Sequence, residues 1–192
     1  MSRSIPYDPT RRALYKPGAD GVSLDVSVTR SEAMLCAELS RLVYCAFERD
    51  AVIRHAVNTQ QTEIGFSDTL FFDENGLQAF LTASPSKRLG VLAFRGTQAG
   101  ELKDTLTDAN AFLRPWAGMG RVHKGFADML AGTWRDIQAA LEGHQGIRLL
   151  YTGHSLGAAL ATLSAALRRP DGLYTFGSPR VGDAAFGGSL MG

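Results

Sequence analysis

A chain of 192 residues with 45% hydrophobic and 20% charged content is long enough for one domain with a buried core. A formal net charge of +1 removes the electrostatic case for nucleic acid, and no basic run points to an acidic membrane surface. No stretch of about 18 apolar residues is present to form a transmembrane helix.

Residues 1–28 are rich in Pro, Gly, Asp and Arg and are expected to form an extended arm ahead of a domain over 29–192. The first residues lack the apolar run of a cleaved leader, which favours a cytoplasmic location over leaderless export. Thr29 followed by Glu32 has the spacing of a capping box. Leu35, Leu39, Leu42, Val43 and Ala46 then recur at helical period, so a helix is expected to run to about Phe47. Cys36 and Cys45 would share that helix roughly 13 Å apart, too far for a disulfide, and read as buried thiols.

Short strands are expected over 62–66 and 69–72, with Gly76 in a turn and a further strand over 77–83. Residues 89–94 are continuously apolar and end at Arg95-Gly96-Thr97, the pattern of a strand buried on both faces. Phe126, Leu130, Trp134, Ile137 and Leu141 mark one stripe of a long helix. A second buried strand follows over 147–152. After it come Gly153-His154-Ser155-Leu156-Gly157 and an Ala-rich helix over 158–167, stopped by Pro170. A third strand is expected over 173–176. Strands alternating with helices in this order imply a parallel, doubly wound α/β sheet.

Gly153-His154-Ser155-Leu156-Gly157 carries the chemistry. A nucleophile at the tip of a strand-to-helix turn needs a strained backbone. Gly153 and Gly157 let the strand and helix backbones pass closely, so that Ser155 projects its hydroxyl above the sheet. The helix N-terminus favours developing negative charge there, and the Leu156 N–H is the expected oxyanion donor. Thr97 closes another buried strand at the same end of the sheet, where its amide and hydroxyl supply a second oxyanion contact.

Together these motifs resemble the class 3 lipase family of fungal-type lipases and esterases. The resemblance rests on Phe94-Arg95-Gly96-Thr97, Val122-His123-Lys124-Gly125-Phe126, the Ser155 elbow, and Tyr174-Thr175-Phe176-Gly177-Ser178-Pro179-Arg180-Val181-Gly182-Asp183, in family order. It implies an α/β-hydrolase fold, with a mostly parallel sheet flanked by helices, and hydrolysis of carboxylic esters. It implies Ser155 as nucleophile and Thr97 and Leu156 as oxyanion donors, with no metal or organic cofactor. It gives His123 and His154 structural roles and makes 98–121 the lid region. The polar start of that region favours short or partly soluble esters, and Phe112, Leu113 and Trp116 are candidates for an acyl pocket or for core packing.

The chain departs from the family pattern after Ser155. None of His55, His123, His144 and His154 follows the nucleophile, and the only acids that do are Asp171 and Asp183. In the family order of Ser, acid, His, both partners come later. The domain is therefore expected to lack its C-terminal strands, with the strand at about 173–177 left as an open edge and 187–192 without regular structure. A fragment, a degenerate homologue, or a domain completed by a segment of another chain all fit. The expected partner is an ester or lipid substrate; the alternative is a catalytically impaired module that binds lipid or protein.

Overall fold

The computed structural model describes Leu24 and residues 26–96 and 112–190. Val26–Arg30 form a short 3-10 helix, and the rest of the expected arm, apart from Leu24, lies outside the described residues. The helices are α1 (Glu32–Leu42), α2 (Ala51–Glu63), α3 (Lys124–Glu142), α4 (Leu156–Leu167) and α5 (Ala184–Ser189). The strands are β1 (Asp68–Glu74), β2 (Leu77–Ser84), β3 (Leu89–Phe94), β4 (Leu113–Pro115), β5 (Arg121–His123), β6 (Arg148–His154) and β7 (Gly172–Phe176).

A five-stranded sheet has the order β1-β2-β3-β6-β7. The β3–β6 and β6–β7 pairs are parallel, as the strand-helix alternation predicts. The β1–β2 and β2–β3 pairs are antiparallel, so the sheet is mixed. Asn75 and Gly76 explain the first of these. Both have positive φ, 53° and 79°, the backbone of the two-residue turn whose twist matches a hairpin.

Burial alternates along the central strands. Leu92 and Phe94 point to one face with Tyr151, against α3 and α4. Val91, Ala93 and Leu150 point to the other, against α1 and the segment after it. Both faces are thus covered, which is why these strands read as unbroken apolar runs. β7 forms one edge of the sheet among the described residues.

Four expectations need correction. Ser31, not Thr29, caps α1, accepting from the Met34 amide at 3.2 Å. The helix stops at Leu42; successive turn bonds such as Cys45 N to Leu42 O carry the chain on, so Cys45 lies beyond it. Cys36 and Cys45 are free and buried. Residues 62–66 are not a strand: α2 starts under an Asp50 cap and runs to Glu63, with Val57 and Gln61 as its buried residues. Thr59 and Thr62 satisfy their hydroxyls on carbonyls four residues back, so threonine-rich sequence sits comfortably in a helix here. Finally, the C-terminal stretch is not without structure, because Asp183 caps α5 by accepting from the Phe186 amide at 2.9 Å and Phe186 is buried.

Candidate active site

Strand β6 ends where α4 begins, and Ser155 sits at the joint with φ 57° and ψ −122°. That is a costly conformation for a residue with a Cβ, of order 1–3 kcal/mol. The surroundings hold it there. The Ser155 amide donates to the Phe176 carbonyl at 2.9 Å, and the Ser155 carbonyl accepts from the amides of Ala158 and Ala159. The hydroxyl makes no capping bond to α4. The elbow therefore spends the serine's backbone on structure and leaves its side chain out of the helix cap.

Gly153 and Gly157 behave as the motif requires. A Cβ on Gly153 would collide with the Gly157 carbonyl group and approach the Ala158 amide nitrogen to 2.7 Å. A Cβ on Gly157 would collide with the Phe94 carbonyl oxygen and lie 2.8 Å from its carbon. These contacts are backbone against backbone, so no rotamer change relieves them. Gly157→Ala is expected to destabilise the fold by at least about 1–3 kcal/mol in urea unfolding. The same contact places the end of β3 directly against the start of α4. Arg95 and Gly96 thus lie beside the elbow; Thr97 itself is outside the described residues. Leu156 opens α4, with its side chain in the core and its amide in the first helical turn, where N–H groups lack intrahelical partners.

The histidines and downstream acids are engaged elsewhere. His123 caps α3, its Nδ1 accepting from the Phe126 amide at 3.4 Å and its ring 4.1 Å from the Phe126 ring. His144 bonds Asp68 and the Ala140 carbonyl, and His55 is on the exposed side of α2. His154 points to the Tyr44 hydroxyl at 2.9 Å. Asp171 accepts from the Leu149 amide at 2.7 Å. The backbone amides of Phe186 and Arg121 hold the Asp183 carboxyl below its usual range. Among the described residues no histidine is hydrogen-bonded to the Ser155 hydroxyl. Of the expected lid, only 112–121 is described: Phe112 is exposed, whereas Trp116 is buried with Phe126 and Leu156 in the core.

The class 3 lipase family model matches residues 91–191, more than half of the chain. The chain belongs to the class 3 lipase family. Secreted mono- and diacylglycerol lipase 1 of Fusarium solani is 33% identical over 124 residues, covering 59% of this chain and 36% of that protein. A lipase of Rhizomucor miehei is 28% identical over 186 residues, covering 86% of this chain and 50% of the relative. The chain spans half or less of the length of these curated relatives. The crystal structure of a lipase from Rhizopus microsporus var. chinensis superposes with a TM-score of 0.65 at 22% identity, covering 88% of this chain and 64% of that one. The fold is that of the α/β-hydrolases, as the motifs imply.

Two features of this class 3 lipase site had no signature in the sequence. Tyr44 reaches the elbow from the segment after α1, and Glu48 forms a buried ion pair with Arg95 at 2.8 Å. His154 also brings a pH dependence. Burial lowers its pKa from the ordinary value of 6.5. As pH falls the unfolded chain takes up this proton first. The stability contributed by neutral His154 is therefore fully present above 6.5 and is lost as pH drops through the folded value. Urea midpoints of the unsubstituted protein are expected to fall across that window, and those of His154→Gln to fall less.

Proposed function

We propose that this chain is the nucleophile-bearing part of a carboxylic ester hydrolase that acts on acylglycerol-type lipid or shorter acyl esters. The observation that carries the reading is Ser155 itself. It is a non-glycine residue held at φ 57° between β6 and α4, with its hydroxyl outside the helix cap. In this reading the Ser155 Oγ attacks the ester carbonyl and the oxyanion accepts hydrogen bonds from the Leu156 amide and from Thr97. An acyl-enzyme forms as the alcohol leaves, and water releases the acid. The position of the Leu156 amide in the first turn of α4 supports the first of these donors, and the packing of Phe94 and Arg95 against Gly157 supports the second.

Attack also needs a base to take the hydroxyl proton, because a serine hydroxyl is a weak nucleophile at neutral pH. The commitments of His123, His144, His154, Asp171 and Asp183 assign that role to none of them. A segment completing the site next to β7 is the proposed source. β7 is an edge of the sheet among the described residues, and its Phe176 end is bonded to the Ser155 amide, so a strand paired along that edge would end beside the nucleophile. The same commitments favour, as the second reading, a catalytically impaired module that binds lipid or a partner protein. Labelling with a fluorophosphonate in the presence of the completing segment separates the two: rapid labelling lost in Ser155→Ala supports the hydrolase, and absence of labelling supports the binding module.

A further inference from the structure

The segment that follows α1 reaches the site from outside the motifs. Tyr44 is buried at 6% exposure, yet its hydroxyl touches two separate parts of the site. It is hydrogen-bonded to His154 Nδ1 at 2.9 Å and lies 3.4 Å from the His154 carbonyl oxygen. On its other side is Gly96, where any Cβ would strike both the Tyr44 hydroxyl and the His154 carbonyl. His154 immediately precedes the proposed nucleophile. Gly96 immediately precedes Thr97, one of the proposed oxyanion donors.

We propose that Tyr44 is a positioning residue, whose hydroxyl sets the turn after β3 at a fixed separation from the serine elbow. Along the chain Thr97 directly follows Gly96, and Ser155 and Leu156 follow His154, so the joint restrains the residue before each proposed donor segment. The same segment holds the turn a second time through Glu48, whose carboxylate accepts from Arg95 Nη1 at 2.8 Å. The Arg95 amide, bonded to the Gln78 carbonyl at 2.9 Å, fixes the backbone between these anchors. Burial raises the Tyr44 hydroxyl to about 12, so the phenol stays protonated and able to donate at neutral and mildly alkaline pH. Glycine at 96 is what allows the hydroxyl and the two backbones to meet.

The role in catalysis rests on the reading of Ser155 as nucleophile; the positioning itself does not. Tyr44→Phe keeps the ring and removes the hydroxyl, and is the variant to make. Amide hydrogen exchange at Arg95 and at Ser155, whose amides are bonded to the Gln78 and Phe176 carbonyls, is expected to accelerate together, by about tenfold or more, because both sides of the joint lose one shared restraint. Fluorophosphonate labelling of Ser155 is expected to slow by about ten- to a hundredfold, the scale of a small misplacement of reacting groups. On a soluble ester the loss should fall on kcat, with KM little changed. Unchanged exchange at either amide overturns the proposal, as does unchanged labelling in a protein whose Ser155 reacts. If the protein does not label even with the completing segment present, the hydrolase reading fails and the exchange result still decides the positioning role. A further check needs no variant: the His154 Nδ1 resonance of the unsubstituted chain must show a hydrogen bond to the phenol, and an unbonded Nδ1 overturns the idea.

Discussion

Ser155→Ala is expected to abolish fluorophosphonate labelling of the protein while leaving its fold intact. Alanine keeps the Cβ, so the strain at φ 57° and the backbone bonds to Phe176, Ala158 and Ala159 are retained. Only the hydroxyl disappears, and the variant isolates the chemistry. Where a complete triad is assembled, removing the nucleophile costs about a millionfold in turnover, and removing the base alone costs about as much. Those two losses do not add, because serine and base act as one unit. Turnover by the chain without a base would therefore be low before the substitution and change little after it. Labelling with the completing segment present is the more telling readout, since it reports covalent capture at one side chain. Mass mapping of the labelled peptide should place the adduct on Ser155. An adduct elsewhere, or labelling that persists in Ser155→Ala, would falsify the nucleophile assignment. Thermal unfolding of the variant close to that of the parent is the accompanying control.

The elbow was legible in sequence because its requirements are local. Gly153 and Gly157 are needed for contacts that any residue with a Cβ would block, and the strand before them is apolar on both faces. The run Leu89–Phe94 was legible for the same reason: its neighbours cover it above and below. Residues 62–66 resemble a strand through β-branched Thr62 and Ile64, whereas buried Gln61 and the Asp50 cap make Thr62 and Glu63 the end of a helix. The helix at Ala184–Ser189 was hidden by Gly187 and Gly188, poor helix formers whose turn is held by the Asp183 cap and the buried ring of Phe186. Tyr44 and Glu48 were invisible for another reason. Tyr44 meets His154 across 110 positions and Glu48 meets Arg95 across 47, so neither role leaves a local pattern. The motif Phe94-Arg95-Gly96-Thr97 showed that an arginine stands there, but not what it is paired with.

That arginine leads to the largest stability effect expected away from the elbow. Glu48→Ala should destabilise the protein by about 3–5 kcal/mol, measured by urea unfolding at neutral pH. The side chains of Arg95 and Glu48 are only 9% and 6% exposed, so water screens the pair little. Removing Glu48 leaves the Arg95 guanidinium buried without its partner, which is what makes the loss large. Among the described residues Glu48 Oε2 is buried with no hydrogen-bond partner. Arg49 lies on its exposed side at 3.5 Å from Oε1 and adds little, since exposed ion pairs contribute about 0–1 kcal/mol. An apolar replacement of both partners, Glu48→Leu with Arg95→Met, should therefore recover most of the stability lost in Glu48→Ala. Labelling of Ser155 then separates two uses of the pair. If it serves stability alone, the double variant labels as fast as the parent. If it holds the turn that leads to Thr97, the double variant is stable and labels slowly, because the apolar pair fills the space without fixing the backbone beside the elbow.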